Sequence, residues 1–192
     1  YKRQGELTSL YTVDNKKFLV ELYRNGVLVW CGYVLPEKYS EPYIAVPYDV
    51  SVTASDGLGI LKDIPFALTE ERTLFDVIKY CCDQTELSLD FVIFSSLTES
   101  SMKKDNSVFP QATFDSSAFS GKTCYEVLGI LMTSLDAFVT ECDGKWYVVR
   151  YTDLNKDGYW YSNSGKLQGR YSLASLVLGS VDSSLYPIGN ME

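Results

Sequence analysis

Apolar and polar positions alternate along much of the first 66 residues, and this pattern predicts strands. The runs from Lys17 to Tyr23 and from Val27 to Val34 are joined by Asn25-Gly26. Asn-Gly between two apolar runs favours a two-residue hairpin turn, because both residues tolerate positive φ. Residues 49–54 alternate as well and predict another strand. We therefore expect residues 1–66 to form an N-terminal β subdomain.

The period changes in the next segment, residues 67–119. Its apolar residues between positions 69 and 85 fall at i, i+3, i+4 and i+7, which predicts one face of a helix, as in Leu74, Val77, Ile78 and Cys81. Glu70 and Glu71 are expected in or just before its first turn, where the helix dipole favours acids. Residues 87–94 predict a strand, and the polar residues 95–115 predict a long loop. The segment is thus a helix-strand insert followed by a loop.

A second helix and a second hairpin are predicted within residues 120–192. Thr123 and Glu126 have the spacing of a capping box, in which each side chain bonds a free backbone N–H of the other residue. Asp143-Gly144 joins the strands predicted at 137–140 and 145–151. The helix starts at 73 and 123 also resemble each other at an offset of 50 residues, which indicates either a duplicated subdomain or chance similarity. The predicted fold class is α+β and β-dominated, with two small β-barrel or sheet subdomains, each associated with one amphipathic helix.

Composition restricts the classes of partner. The chain has 192 residues, a net charge of −8 and 15 tyrosines, and its Lys and Arg residues are scattered. Without a basic cluster we expect no sequence-specific nucleic-acid binding, and without about 20 consecutive apolar residues we expect no membrane insertion. The five cysteines are predicted to be reduced and buried. The first residue is Tyr1, not Met, which favours a fragment or a processed chain.

The chemistry of the side chains argues against catalysis. The sequence has no histidine, which removes the usual general base at neutral pH and the histidine-dependent triads. Paired carboxylates remain as an option for a hydrolase. Nothing in the spacing of the candidate acids selects a pair among Asp49, Asp56, Asp63, Glu141 and Asp143. We therefore predict that the chain is not an enzyme.

One loop has the first half of a calcium-binding pattern. Asp153, Asn155, Asp157 and Gly158 stand at positions one, three, five and six of such a loop. The twelfth position is Ser164 instead of Glu, and a predicted strand, not a helix, precedes the loop. The alternative is a polar turn whose residues suit turn geometry. Apart from this calcium hypothesis, no cofactor is expected.

Four tyrosines lie close together in sequence, at Tyr33, Tyr39, Tyr43 and Tyr48. Aromatic residues in irregular segments often face partners. The cluster predicts a subunit or domain interface, a platform for a carbohydrate or peptide at a cell surface, or aromatic residues that simply cap the core.

The pattern of residues 20–36 and 43–61, together with Trp146–Arg150 after Asp143-Gly144, resembles tail proteins of phages and prophages of Bacteroides-type bacteria. The resemblance covers about residues 17–155 and is similar in layout to baseplate hub or tail-tip proteins. It implies β-barrel-like subdomains and a ring, typically a trimer, that contacts itself and other tail proteins. It also implies a virion-tail location after assembly in the bacterial cytoplasm, and a structural, non-catalytic function. The Tyr-rich binding module is the alternative, and a paired-carboxylate hydrolase is the third possibility.

Overall fold

The computed structural model describes residues 8–40, 49–97, 107–154 and 156–171. Their strands are β1 Leu19–Arg24, β2 Val27–Val34, β3 Ala54–Ser55, β4 Glu71–Thr73, β5 Asp90–Phe94, β6 Thr113–Asp115, β7 Ala137–Cys142, β8 Lys145–Arg150, β9 Gly158–Tyr161 and β10 Leu167–Tyr171. Their α-helices are α1 Leu74–Asp83 and α2 Cys124–Leu135. Short 3-10 helices occupy Thr8–Leu10, Pro36–Lys38, Leu58–Asp63, Ser116–Phe119 and Tyr151–Asp153.

The N-terminal sheet consists of β1, β2 and β3 in that order, all antiparallel. Asn25 and Gly26 have φ values of 52° and 78°, which confirms the predicted hairpin turn. The strand predicted over 49–54 is wrong in extent, since only Ala54 and Ser55 pair with β2 in a ladder. The cause lies in β2: its extended run ends at Leu35, and Pro36 starts a 3-10 helix.

A five-stranded sheet with the order β10-β9-β5-β8-β7 forms the centre of the fold. The pairing of β5 with β8 is parallel, and the other three pairings are antiparallel. Successive residues of a strand point to opposite faces. Phe91 and Ile93 of β5 therefore join the main core with both helices, whereas Val92 and Phe94 join a smaller aromatic cluster on the other face.

Both helices begin in the same way. Thr123 and Glu126 form the predicted capping box, and Thr73 and Asp76 form a second one at α1. Glu70 and Glu71 lie before the first turn of α1, whose own acid is Asp76, and residues 71–73 pair with residues 113–115 as β4 and β6. The polar stretch predicted as a loop therefore contains a short strand. Residues 98–106 of that stretch lie outside the described residues.

The architecture is mixed α/β and strand-rich, in agreement with the predicted class. The sheets of the described residues are open, and no closed barrel occurs among them. The main core takes residues from each of the three predicted segments, for example Tyr33, Phe75 and Trp146. The boundaries at 66 and 119 stay predictions. In the described part of the chain, no helix is long and apolar enough to cross a membrane.

Candidate functional site

The β1–β2 hairpin presents apolar side chains to solvent. Four of them have exposed fractions of 51–63%, namely Leu19, Leu22, Tyr23 and Val27. Burial increases along β2, from an exposed Val27 to the buried run Cys31–Val34. The far half of β2 is therefore buried, whereas in the half next to the turn Leu28 is partly buried against the Gly144 turn and Val27 is exposed.

The outer edge of β1 adds backbone hydrogen-bonding groups to this surface. β1 is the terminal strand of the N-terminal sheet in the order found among the described residues. An edge strand leaves alternate N–H and C=O groups without a ladder partner, and such an edge can pair with a strand of another chain. Exposed apolar clusters mark interaction surfaces in soluble proteins. We call Leu19, Leu22, Tyr23, Val27 and the β1 edge the hairpin surface.

The predicted tyrosine cluster differs from this surface. Tyr33 is 6% exposed and donates a hydrogen bond to the carbonyl of Thr85 at 2.9 Å. Tyr39 is 4% exposed and has an edge contact with Tyr11, with 5.0 Å between ring centroids. Both rings thus pack within the chain and are not an open platform. Tyr43 and Tyr48 lie outside the described residues.

Asp153 of the calcium-type loop is fully buried and bonded by protein donors. Its Oδ1 accepts a hydrogen bond from the Ser96 hydroxyl at 2.7 Å and lies 2.8 Å from Lys156 Nζ. Its Oδ2 accepts one from the Ser96 backbone N–H at 2.7 Å and one from Arg150 Nη1 at 3.0 Å. Burial by itself would raise the pKa of Asp153, but the bonds from Lys156 and Ser96 outweigh it and hold this pKa well below its usual range.

The rest of that loop does not complete a metal site in the structure. Asp157 is exposed, and Asn155 lies outside the described residues. Within the described ranges, no group of three or more His, Cys, Asp or Glu side chains is placed to hold a metal ion. Calcium binding therefore stays a prediction. A calcium ion would have to compete for Asp153 with Arg150 and Lys156, which already neutralise its charge.

The candidate acids differ in how far they are buried. Asp49 and Asp63 are exposed, whereas Glu141 on β7 is 6% exposed. Burial raises the pKa of Glu141 to about 7, and the negative charges of Asp56 and Asp143 add to the increase. The fold thus brings three acids into electrostatic contact that the sequence could not pair. Glu141 lies against β2, so a substrate would have to displace that strand to reach it.

The cysteines follow the predicted pattern with one exception. All five are free thiols, and four are buried, but Cys142 is exposed because it precedes the turn at the end of β7. No disulfide links the elements of the described structure.

Sequence reasoning missed the hairpin surface. Neighbouring residues of a strand point to opposite faces, and the neighbours Leu22 and Tyr23 in β1 are both apolar and both exposed. Apolar side chains on both faces of a strand next to a tight turn were the available signal.

Comparison with known proteins gives no relative: no family model matches the chain, and no curated protein and no solved structure is detectably similar.

Proposed function

We propose that this chain is a non-catalytic structural component of a phage or prophage tail, similar to a baseplate hub or tail-tip protein. It assembles with copies of itself into a ring, for which the resemblance implies a trimer, and it contacts other tail proteins. It is assembled in the bacterial cytoplasm and resides in the virion tail. The tail setting comes from the sequence resemblance alone.

The hairpin surface is the observation that carries the assembly function. It combines an open strand edge with four large apolar side chains that are each at least half exposed. A monomer gains nothing from this exposure, whereas a neighbouring chain would bury the side chains at about 25 cal/mol per Å² of apolar surface. Adding a strand to β1 would also satisfy the backbone groups of the edge. The resemblance implies barrel-like subdomains, and this too is part of the proposal. An open sheet becomes a barrel only if further strands, such as those of a neighbouring chain, join its edges.

The Tyr-rich binding module receives less support. A carbohydrate platform needs exposed aromatic rings, and the two described members of the cluster, Tyr33 and Tyr39, are buried. A paired-carboxylate hydrolase receives less support as well, because Glu141, the candidate acid whose pKa is raised, is buried.

Substitution Leu22→Lys tests the assembly function. Leu22 is 52% exposed, so a lysine can extend into water and the stability of a single chain should change by less than about 0.5 kcal/mol. At an interface the same lysine would bury a charge. We expect the wild-type protein to have an oligomeric mass in light scattering coupled to size exclusion, and the variant to have the mass of one chain.

The matched control is Leu154→Lys, which makes the same change at a residue that is also 52% exposed but lies far along the chain from the hairpin. This control should keep the wild-type mass. A wild-type protein that is monomeric throughout the concentration series, or a Leu22→Lys variant that keeps the oligomeric mass, would refute assembly through the hairpin surface.

The tail setting needs a separate test. Antibodies raised against the chain should decorate the tail tip of particles released from the producing bacterium, as seen by electron microscopy. The genes beside its own should encode capsid, tube and tape-measure proteins. Absence of both results would overturn the tail assignment and leave the assembly result intact.

A further inference from the structure

Glu141 lies at the junction between the N-terminal sheet and the five-stranded sheet. It belongs to β7, which contacts β2 across the junction. Leu28 of β2 contacts the adjacent turn so closely that a Cβ on Gly144 would lie 3.1 Å from its side chain and from its carbonyl oxygen. The junction is therefore tightly packed around this carboxyl group.

The carboxyl group is only partly satisfied by hydrogen bonds. Oε1 accepts a bond from the Gly144 backbone N–H at 3.1 Å. The Cys31 backbone N–H lies near enough to favour the charged form, yet Oε2 is buried and has no hydrogen bond of normal geometry. A buried anionic oxygen without a donor is costly, whereas a neutral carboxyl tolerates the same surroundings better.

The groups around Glu141 also disfavour its charge. Asp56, in the turn after β3, and Asp143, in the β7–β8 turn, both raise its pKa. The thiols of Cys31 and Cys142 are the other titratable groups in contact, and each interacts with the Glu141 charge. The nearby cation is Lys145, whose ammonium group donates to the backbone oxygen of Asp143 at 3.3 Å.

We propose that Glu141 is a proton-controlled latch, which in its neutral form holds the N-terminal sheet on the five-stranded sheet and in its ionised form releases it. Release lets water reach the carboxylate but also exposes Cys31 and Tyr33, which belong to the main core, so the released form is a minor population whose size depends on the ionisation of Glu141. The inference concerns the movement of β1, β2 and β3 as a unit and does not depend on the tail assignment.

The direction of the pH effect follows from proton binding. In the seated state the pKa of Glu141 is raised by burial from the ordinary value of 4.5 to about 7. The seated state therefore binds the proton more tightly than the released state, so seating is favoured at low pH and weakens as the pH rises between these two values. The released population should increase about tenfold between pH 6 and pH 8.

Labelling of Cys31 measures the release. This thiol is 3% exposed in the same junction, so a maleimide reaches it only after β2 moves. Labelling of the full chain is followed by peptide mass spectrometry at each pH, in the wild type and in Glu141→Gln. Because glutamine is neutral at all pH values, the ratio of wild-type to variant labelling rates cancels the intrinsic reactivity of the thiol. This ratio should rise about tenfold from pH 6 to pH 8.

Two further variants sharpen the test. Asp143→Asn removes a neighbouring charge and keeps a residue that tolerates the φ of 48° at this turn, so the transition should move to lower pH. Glu70→Gln changes an acid whose side chain is 74% exposed and should leave the wild-type curve unchanged. If the Cys31 labelling rate of the wild type depends on pH in the same way as that of Glu141→Gln, the proposal is overturned.

Hydrogen exchange keeps the proposal testable if Glu141→Gln does not fold. In the wild-type chain, protection factors of the β2 amides should fall relative to those of β5 between pH 6 and pH 8. An unchanged ratio of the two protection factors would refute the latch.

Discussion

The strongest test of the fold's electrostatics is Asp153→Asn. This carboxylate has no exposed surface and receives four contacts from three residues, Arg150, Lys156 and Ser96. Asparagine keeps the shape and one acceptor oxygen but removes the negative charge. The substitution therefore removes the ion pairs together with the hydrogen bonds that one of the two oxygens accepts, because the amide NH2 would face donors there.

The expected loss of stability comes mainly from Arg150. Its side chain is 18% exposed and would keep a charge without its anion. Removing one partner of a buried ion pair costs about 3–5 kcal/mol. The Lys156 side chain is 53% exposed, so water replaces most of its contribution. We expect the free energy of unfolding to fall by about 3 kcal/mol, which corresponds to a decrease of about 6–12 °C in Tm for a chain of this size.

Urea denaturation and calorimetry at pH 7 measure this change. The matched control is Asp157→Asn, which makes the same chemical change at an exposed position of the same loop and should alter stability by less than about 0.5 kcal/mol. The stabilisation by Asp153 should also disappear as the pH falls below the ordinary carboxyl pKa of 3.8, because its pKa is lowered in the fold. If Asp153→Asn and Asp157→Asn lower the stability equally, the ion-pair explanation is refuted. If calcium raises the Tm of the wild type but of neither variant, the metal hypothesis is favoured instead.

Two further substitutions test the local structure. Gly32→Ala would place a Cβ 2.0 Å from the backbone oxygen of Ser55, so it should separate β3 from β2 at a cost of about 3 kcal/mol. Hydrogen exchange should show that the amides of the N-terminal sheet lose protection, whereas those of β5 keep it. Thr123→Ala removes the cap that accepts the Glu126 N–H and should lower the free energy of unfolding by about 1 kcal/mol at an unchanged urea m-value.

Structural features fixed by neighbouring residues were accessible from the sequence. The Asn25-Gly26 and Asp143-Gly144 turns depend on the tolerance of these residues for positive φ, and all four have it in the structure. The Thr123 capping box also joins residues only three positions apart. In each case the interaction that decides the structure lies within the motif itself, so no knowledge of the remaining chain is needed.

Features fixed by distant residues were not accessible. The parallel pairing of β5 with β8 aligns Asp90 with Lys145 across 55 positions of chain, and both strands are apolar enough to pair in several ways. Likewise, Tyr33 and Tyr23 both occupy strands of one hairpin, yet the first is 6% exposed and the second 59%. Their difference depends on the contacts of Tyr33 with Thr85 and with the turn at Gly57, both of which lie outside the hairpin sequence.

The candidate sites show the same division in chemical terms. Asp153, Asn155 and Asp157 have calcium spacing, but a carboxylate binds whichever cation reaches it, and Arg150 and Lys156 are already within 3.0 Å of Asp153. Glu141 and Asp63 are both acids without a motif, but Asp63 is exposed, whereas burial, with a smaller contribution from Asp56 and Asp143, raises the pKa of Glu141. The sequence supplies the charges, whereas their pKa values depend on which elements remove water from them. This is why Glu141 had no recognisable spacing, and why its test substitutes the acid and measures the exposure of the strand that covers it.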